Sequence, residues 1–201
     1  MPRSANHPVL LFASVLACAV PDDDLGVDPG EPTPVEYWLP LACGVTARVG
    51  QGNASDFSHT GDATYAFDIL LALDTPVHAM AAGTVLHIRA DNDPGDPCHD
   101  GGDESCFDFA NLVVLLHADG TTTLYKHLNT VAVAEGSAVA RGDVLGLSGS
   151  TGWSLTPHLH AMRMEACDEL QCPSIPLAFV DVPDGGVPIT GQLVTSMNCR
   201  G

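Results

Sequence analysis

The residues best suited to chemistry are histidines, and the most informative stretch is Thr156-Pro-His158-Leu-His160. On a strand, side chains two apart point to the same side, so both imidazoles face one cleft while Leu159 turns the other way into packing. Two same-face imidazoles on a rigid strand suit zinc. An isolated His-x-His reads equally well as a pair of surface histidines, so a carboxylate and further histidines must decide. They are present in Ser58-His59-Thr-Gly-Asp62, Tyr65-Ala-Phe-Asp68-Ile and Leu124-Tyr-Lys-His127-Leu. Two imidazoles and one carboxylate would leave a tetrahedral zinc ion one open position for water, which the metal acidifies to a nucleophile near neutral pH. Three protein ligands mean catalysis, whereas four would mean structure. Neutral imidazoles beside such a centre can take the proton of the water and then stabilise an oxyanion or protonate a leaving amine.

The elements that must hold these side chains read as β-structure. Long helical periodicity is absent, and short apolar runs are separated by Gly, Asp and Pro. Residues 83–88, 112–116, 122–127, 143–147 and 159–164 read as strands, and the Asp119-Gly120 pair marks a hairpin between two of them. Gly149 to Gly152 reads as a turn before the His-x-His strand and not as a phosphate cradle, since no helix follows it. The other histidines have plain readings: His78 and His87 as strand residues, His99 in a loop, His117 at the hairpin. Residues 91–108 form a long acidic loop. Its Asp91-Asn-Asp93-Pro-Gly-Asp96 stretch lacks the spacing of an EF-hand and reads as solvated.

The 201 residues are 45% hydrophobic, enough for one ordinary core. Acidic residues outnumber basic ones 25 to 7, a net charge of -18 that repels nucleic-acid phosphates and excludes nucleic acid as a partner. Seven cysteines, none in a Cys-x-x-Cys pair, read as disulfides and hence an oxidising compartment. Arg3 and His7 precede an apolar run from Val9 to Leu16, then Ala17 and Cys18, the form of an export signal and too short to span a bilayer. Val15-Leu-Ala-Cys18 resembles a bacterial lipobox, so a lipid on Cys18 is favoured over free secretion and would be the only membrane attachment. That leaves six cysteines, an even set. Proximity alone pairs Cys98 with Cys106 and Cys167 with Cys172, leaving Cys43 for Cys199. The expected organisation is a signal peptide over 1–17, an acidic Pro-rich tether over 18–36 and one folded domain over 37–201.

From about Cys43 to Met164, the ordered series of His59 and Asp68, Tyr125-x-His127-Leu and His158-Leu-His160 resembles the lysostaphin-type, LytM-like zinc metallopeptidases that cut peptidoglycan peptides. The resemblance implies an all-β fold of mainly antiparallel sheets, of the barrel-sandwich or duplicated hybrid-motif type, with long disulfide-tethered loops. It also implies one zinc ion per chain on His59, Asp68 and His160, with His127 and His158 as catalytic histidines. The implied activity is endopeptidase cleavage of cell-wall peptide cross-links, by an exported protein resident in the periplasm, on the outer membrane or at the cell surface. Two features depart from the family pattern. Its Asp commonly follows the His by four residues, whereas Asp68 follows His59 by nine and Asp62 by three. Tyr-Ala-Phe-Asp68-Ile resembles the longer-spaced branch, and an Asp in an apolar strand would be costly if unpaired, so Asp68 is the expected ligand and Asp62 a solvated turn residue. Ala161-Met162 stands where Phe and Glu are common. Two other readings keep the fold: a non-catalytic wall-binding or regulatory protein, and a secreted peptidase acting on foreign walls or other proteins. Loss of any of the five site residues would mark the first, but all five are present. Release into the medium would mark the second.

Overall fold

A computed structural model of the chain describes Met1 and residues 34–199. The expected signal peptide, the lipid acceptor Cys18 and the tether up to residue 33 lie outside the described residues. No helix among the described residues is long and apolar enough to cross a membrane.

Twelve strands follow one another: β1 (Thr46–Gln51), β2 (Phe67–Leu70), β3 (Pro76–His78), β4 (Gly83–Arg89), β5 (Leu112–Leu116), β6 (Thr122–Lys126), β7 (Leu128–Val131), β8 (Ala138–Val139), β9 (Val144–Ser148), β10 (His158–Met164), β11 (Ser174–Ile175) and β12 (Leu193–Thr195). The only helical segments among the described residues are 3-10 turns, Gly61–Ala63 and Glu104–Phe109. A nine-stranded sheet runs β12-β1-β2-β10-β6-β5-β4-β8, with β11 pairing the end of β10. A three-stranded sheet runs β3-β9-β7. Every strand pairing is antiparallel.

The core explains why these segments pair. β5 is apolar at every position because both faces of this central strand are covered. Val113 and Leu115 join the main core, while Leu112 and Val114 join a smaller cluster on the opposite face. β10 alternates in the same way, with Leu159 and Ala161 in the main core and Met162 and Met164 in the smaller cluster. The β5–β6 hairpin turns at Gly120, whose φ of 77° suits glycine. Asp119 accepts from the backbone N–H of Thr121 at 3.0 Å and closes the turn.

The strand limits expected from sequence shift in places. The stretch 122–127 ends at Lys126, because His127 has a φ of 69° and leaves the sheet at the corner where the chain passes into β7. The stretch 143–147 runs one residue further on, as Val144–Ser148. β1, β3, β7, β8, β11 and β12 carried no clear sequence signal, being short or interrupted by Gly, Pro and polar residues. The loop 91–108 is less solvated than expected. Asn92 is buried in it, and its side-chain N–H groups donate to the carbonyls of Cys98 and Phe109 at 2.9 and 2.7 Å.

Three disulfides are present: Cys43–Cys199, Cys98–Cys106 and Cys167–Cys172. They agree with the pairing expected from proximity and with an oxidising compartment.

Candidate metal and catalytic site

One row of residues crosses five strands. Gln51 of β1 stands opposite Asp68 of β2, Asp68 opposite His160 of β10, His160 opposite Lys126 of β6, and Lys126 opposite Leu112 of β5. Directly opposed residues in antiparallel strands share a face. The polar members of the row therefore look out on the same side, away from the main core that holds Phe67, Ile69 and Leu159. His158, two residues before His160, joins them by the strand period.

Two local irregularities complete the set. A bulge between Val49 and Gln51 inserts Gly50 as an extra residue, so that Gln51 comes opposite Asp68. A Cβ at Gly50 would lie 2.8 Å from Leu70 Cδ2, so glycine keeps the bulge compact. The second irregularity is His127. Regular alternation would send it to the face opposite Lys126, but its positive φ turns the ring into the same cleft. Thr151 holds it there by accepting from His127 Nδ1–H at its carbonyl, 2.7 Å away.

His59, Asp68 and His160 are buried, and each offers one ligand atom within 4.8 Å of the others. No other group of three such residues occurs among the described residues. Asp68 Oδ1 lies 3.1 Å from His59 Nε2, 2.9 Å from His160 Nδ1 and 3.6 Å from His158 Nε2. Asp68 Oδ2 accepts from the Gln51 amide at 2.6 Å, and Ser55 in turn donates to Gln51 Oε1 at 2.6 Å. His59 Nδ1 faces the Gly52 carbonyl at 2.8 Å. Both nitrogens of that ring thus meet oxygen acceptors, so it must either carry two protons or give the Nε2 position to a metal ion. A carbonyl on the far nitrogen and an amide on the far carboxylate oxygen are the supports that metal ligands need to be oriented. The donor set fits a divalent metal of the zinc type.

The electrostatics follow from crowding. Burial alone would raise the Asp68 carboxyl, but hydrogen bonds from His160 and His59, with the charges of His160 and His158, hold it well below the usual carboxylate range. Burial works to lower His59, and the Asp68 bond and charge outweigh it and raise the ring. Burial lowers His160 in spite of Asp68. His127 is driven far down by burial first and then by His158, His160 and Lys126, so it stays neutral at neutral pH. The carbonyls of Thr151 and Thr156 accept from Nδ1–H of His127 and His158, the latter at 2.7 Å. Each ring therefore keeps its Nε2 lone pair for chemistry. The two ring centroids lie 4.6 Å apart.

Asp68, His127, His158 and His160 floor an open cavity of about 560 Å³, with His59 fully buried next to Asp68. Its rim is apolar, with exposed Phe57, Phe107, Trp153 and Leu155. All five site residues expected from sequence come together here, while Asp62 stands exposed in the 3-10 turn. His78, His87, His99 and His117 take no part in the cluster. Sequence reading missed the Lys126 side chain and Thr151, whose only signal was position beside His127 and within the turn Gly149 to Gly152, and Gln51, which carried no signal.

The sequence model of Peptidase family M23 matches residues 62–171, more than half of the chain. The match includes Asp68, His127, His158 and His160, with His59 just before it. Lysostaphin of Staphylococcus staphylolyticus is 33% identical over 105 residues, 52% of this chain and 19% of that protein. Peptidoglycan DD-endopeptidase ShyA of Vibrio cholerae is 32% identical over 116 residues, 58% of this chain and 21% of that protein. The chain therefore spans about a fifth of the length of these curated relatives. Among solved structures, the M23 metalloprotease pseudoalterin from the deep sea superposes with a TM-score of 0.50 at 16% identity, covering 80% of this chain and 95% of that one, a likeness of fold.

Proposed function

This chain belongs to peptidase family M23, and on that premise we propose that it is a zinc-dependent endopeptidase hydrolysing peptide cross-links of bacterial cell-wall peptidoglycan. The observation that carries the reading is the buried His59, Asp68 and His160 cluster, of which Asp68 and His160 line an open cleft with two further imidazoles beside them. The substrate class is supported by the relative named a peptidoglycan DD-endopeptidase.

In this reading His59, Asp68 and His160 hold the zinc ion, one per chain. Bound there, zinc supplies Lewis acidity and makes water a usable nucleophile near neutral pH. His127 and His158 are the catalytic residues. Each holds its proton at Nδ1 against a carbonyl, so Nε2 of the pair receives a proton from the attacking water and returns it to the leaving amine. Once protonated, the same Nε2–H can donate to the developing oxyanion. Gln51 fixes the carboxylate so that Oδ1 faces the histidines. The apolar rim packs the peptide and limits water around the scissile bond.

The domain extends over 37–201, following an export signal over 1–17 and an acidic tether over 18–36. A lipid on Cys18 would hold the enzyme at the cell envelope, which favours action on the resident wall over secretion. The deciding experiment digests defined wall fragments with the zinc-loaded protein and identifies products by mass. New peptide termini at one cross-link type are expected. Intact fragments, with zinc bound and the protein folded, would leave the wall-binding reading in place.

A further inference from the structure

We propose that Lys126, together with Gln171, forms a subsite for a free carboxylate of the substrate beside the bond to be cleaved. The inference rests on the peptidase reading and sharpens its substrate to acidic peptides.

Lys126 is opposite His160 in the row that crosses the sheet and lines the same cavity as His127, His158 and His160. Only 7% of it is exposed. Its ammonium meets two groups, the Gln171 side-chain oxygen at 3.3 Å and the Phe107 ring at 4.3 Å from the centroid. Neither is an anion. Among the described residues no carboxylate forms an ion pair with it; burial foremost, and then Arg89, lower its pKa to about 8, while Asp108 acts the other way. A nearly buried ammonium has three protons to place, and leaving them without an acid is costly unless a ligand supplies one.

The chain has the means to pair this lysine internally and does not use them. Acidic residues number 25 against 7 basic ones, and Arg163 is paired with Asp119 at 3.0 Å. At Lys126 the neighbour is instead a neutral amide. Asp62, Asp108, Asp168, Glu169 and Gln171 line a second cavity that Lys126 also borders, and of these five only the amide lies within hydrogen-bond distance of the ammonium.

Both contacts of the ammonium come from residues directly beside a disulfide-bonded cysteine. Phe107 follows Cys106, which is bonded to Cys98, and Gln171 precedes Cys172, which is bonded to Cys167. Two cross-links thus hold the lysine head in place ahead of binding, so a carboxylate docking there would lose little to ordering. In a molecule of net charge -18, such a cation is the feature needed for an acidic peptide to bind at the cleft rather than be repelled.

The test is equilibrium binding to the zinc-reconstituted full chain of two probes: a wall stem tetrapeptide with free carboxyl groups and the same peptide with carboxamides. The free acid is expected to bind about tenfold more tightly, the scale of one charge-assisted hydrogen bond. Lys126→Met should bring the two within about twofold, with zinc content unchanged, and Lys126→Arg should retain a preference. Gln171→Glu, which gives the ammonium an internal acid, should erase the preference as well and reads the same point if Lys126→Met fails to fold. A preference that survives both Lys126→Met and Gln171→Glu would overturn the subsite, as would equal binding of acid and amide by the unaltered protein. Equal weakening of both probes in Lys126→Met would make the lysine a structural support instead. Absence of cleavage would count against the peptidase reading alone, because the binding preference is measured without turnover.

Discussion

Asp68 and His160 are each bonded through one atom to the same small volume, so at the scale of single residues the roles can be separated by metal content. Asp68→Ala should cut zinc occupancy severely, since it removes one of three ligands, whereas Asp62→Ala, altering an exposed turn, should not. Zinc measured by atomic absorption on both variants gives the answer, and the opposite pattern would mean that the wrong carboxylate has been chosen. His158 and His160 stand two residues apart with different assignments. His160→Ala should lose metal and turnover together. His127→Ala and His158→Ala should keep the metal while turnover falls roughly a hundredfold or more, the scale of a lost general acid or base. Both quantities must be read on the same samples. His127 also carries a pH signature. Its folded value is pushed below the ordinary histidine value of 6.5, by burial foremost, so the unfolded chain takes up a proton before the folded one does as pH falls. The folded state therefore loses stability as pH drops through 6.5 towards the lowered value, and above 6.5 there is no penalty. Urea unfolding of the metal-free protein at about pH 7.5 and about pH 5.5 should show a larger acid loss in the unaltered chain than in His127→Phe. Equal losses would mean that another group governs the acid limb.

At the scale of elements, the site depends on where two strands depart from regularity. The bulge in β1 turns an otherwise ordinary edge of the pairing into the support for Asp68, because it brings Gln51 into register with the carboxylate. Gln51→Leu keeps the side-chain bulk and removes the donor. Zinc affinity is expected to fall about 10-fold to 100-fold, as for other groups that orient a metal ligand, with the fold intact by circular dichroism. Unchanged affinity in a competition titration with a chelator would show that Asp68 is held by the histidines alone. At the other departure, the end of β6, His127 is the pivot between the two sheets. Leu128 directly after it is packed in the main core, which fixes the corner and so the direction of the ring.

At the scale of the whole molecule, Cys43–Cys199 joins the first and last parts of the described body, 156 residues apart, beside the pairing of β1 with β12. Asn198, next to Cys199, donates to the carbonyls of Leu39 and Ala79 at 3.1 Å each, so the end of the chain is tied to the core as well as to the cross-link. Replacing both cysteines by Ser should lower unfolding stability by about 2–5 kcal/mol while leaving zinc binding intact, since β2 and β10 lie inside the sheet. Denaturant titration beside zinc analysis checks both halves of this expectation, and loss of metal with unchanged stability would reverse it. Much of this molecule was legible in its sequence. The all-β class, the β5–β6 hairpin and the common face of His158 and His160 follow from residue type, period two and turn chemistry, which act over a few residues, whereas the grouping of His59 with Asp68 came from the resemblance to the lysostaphin-type peptidases. Nearness alone picked out the short Cys98–Cys106 and Cys167–Cys172 rings. Only the tertiary structure could supply Gln51 as the partner of Asp68, the positive φ that swings His127 into the cleft, and the seating of the Lys126 ammonium between Phe107 and Gln171. Those features are set by register between strands distant in sequence and by loops closed through disulfides, and no local pattern of residues specifies which partner a strand or loop will meet.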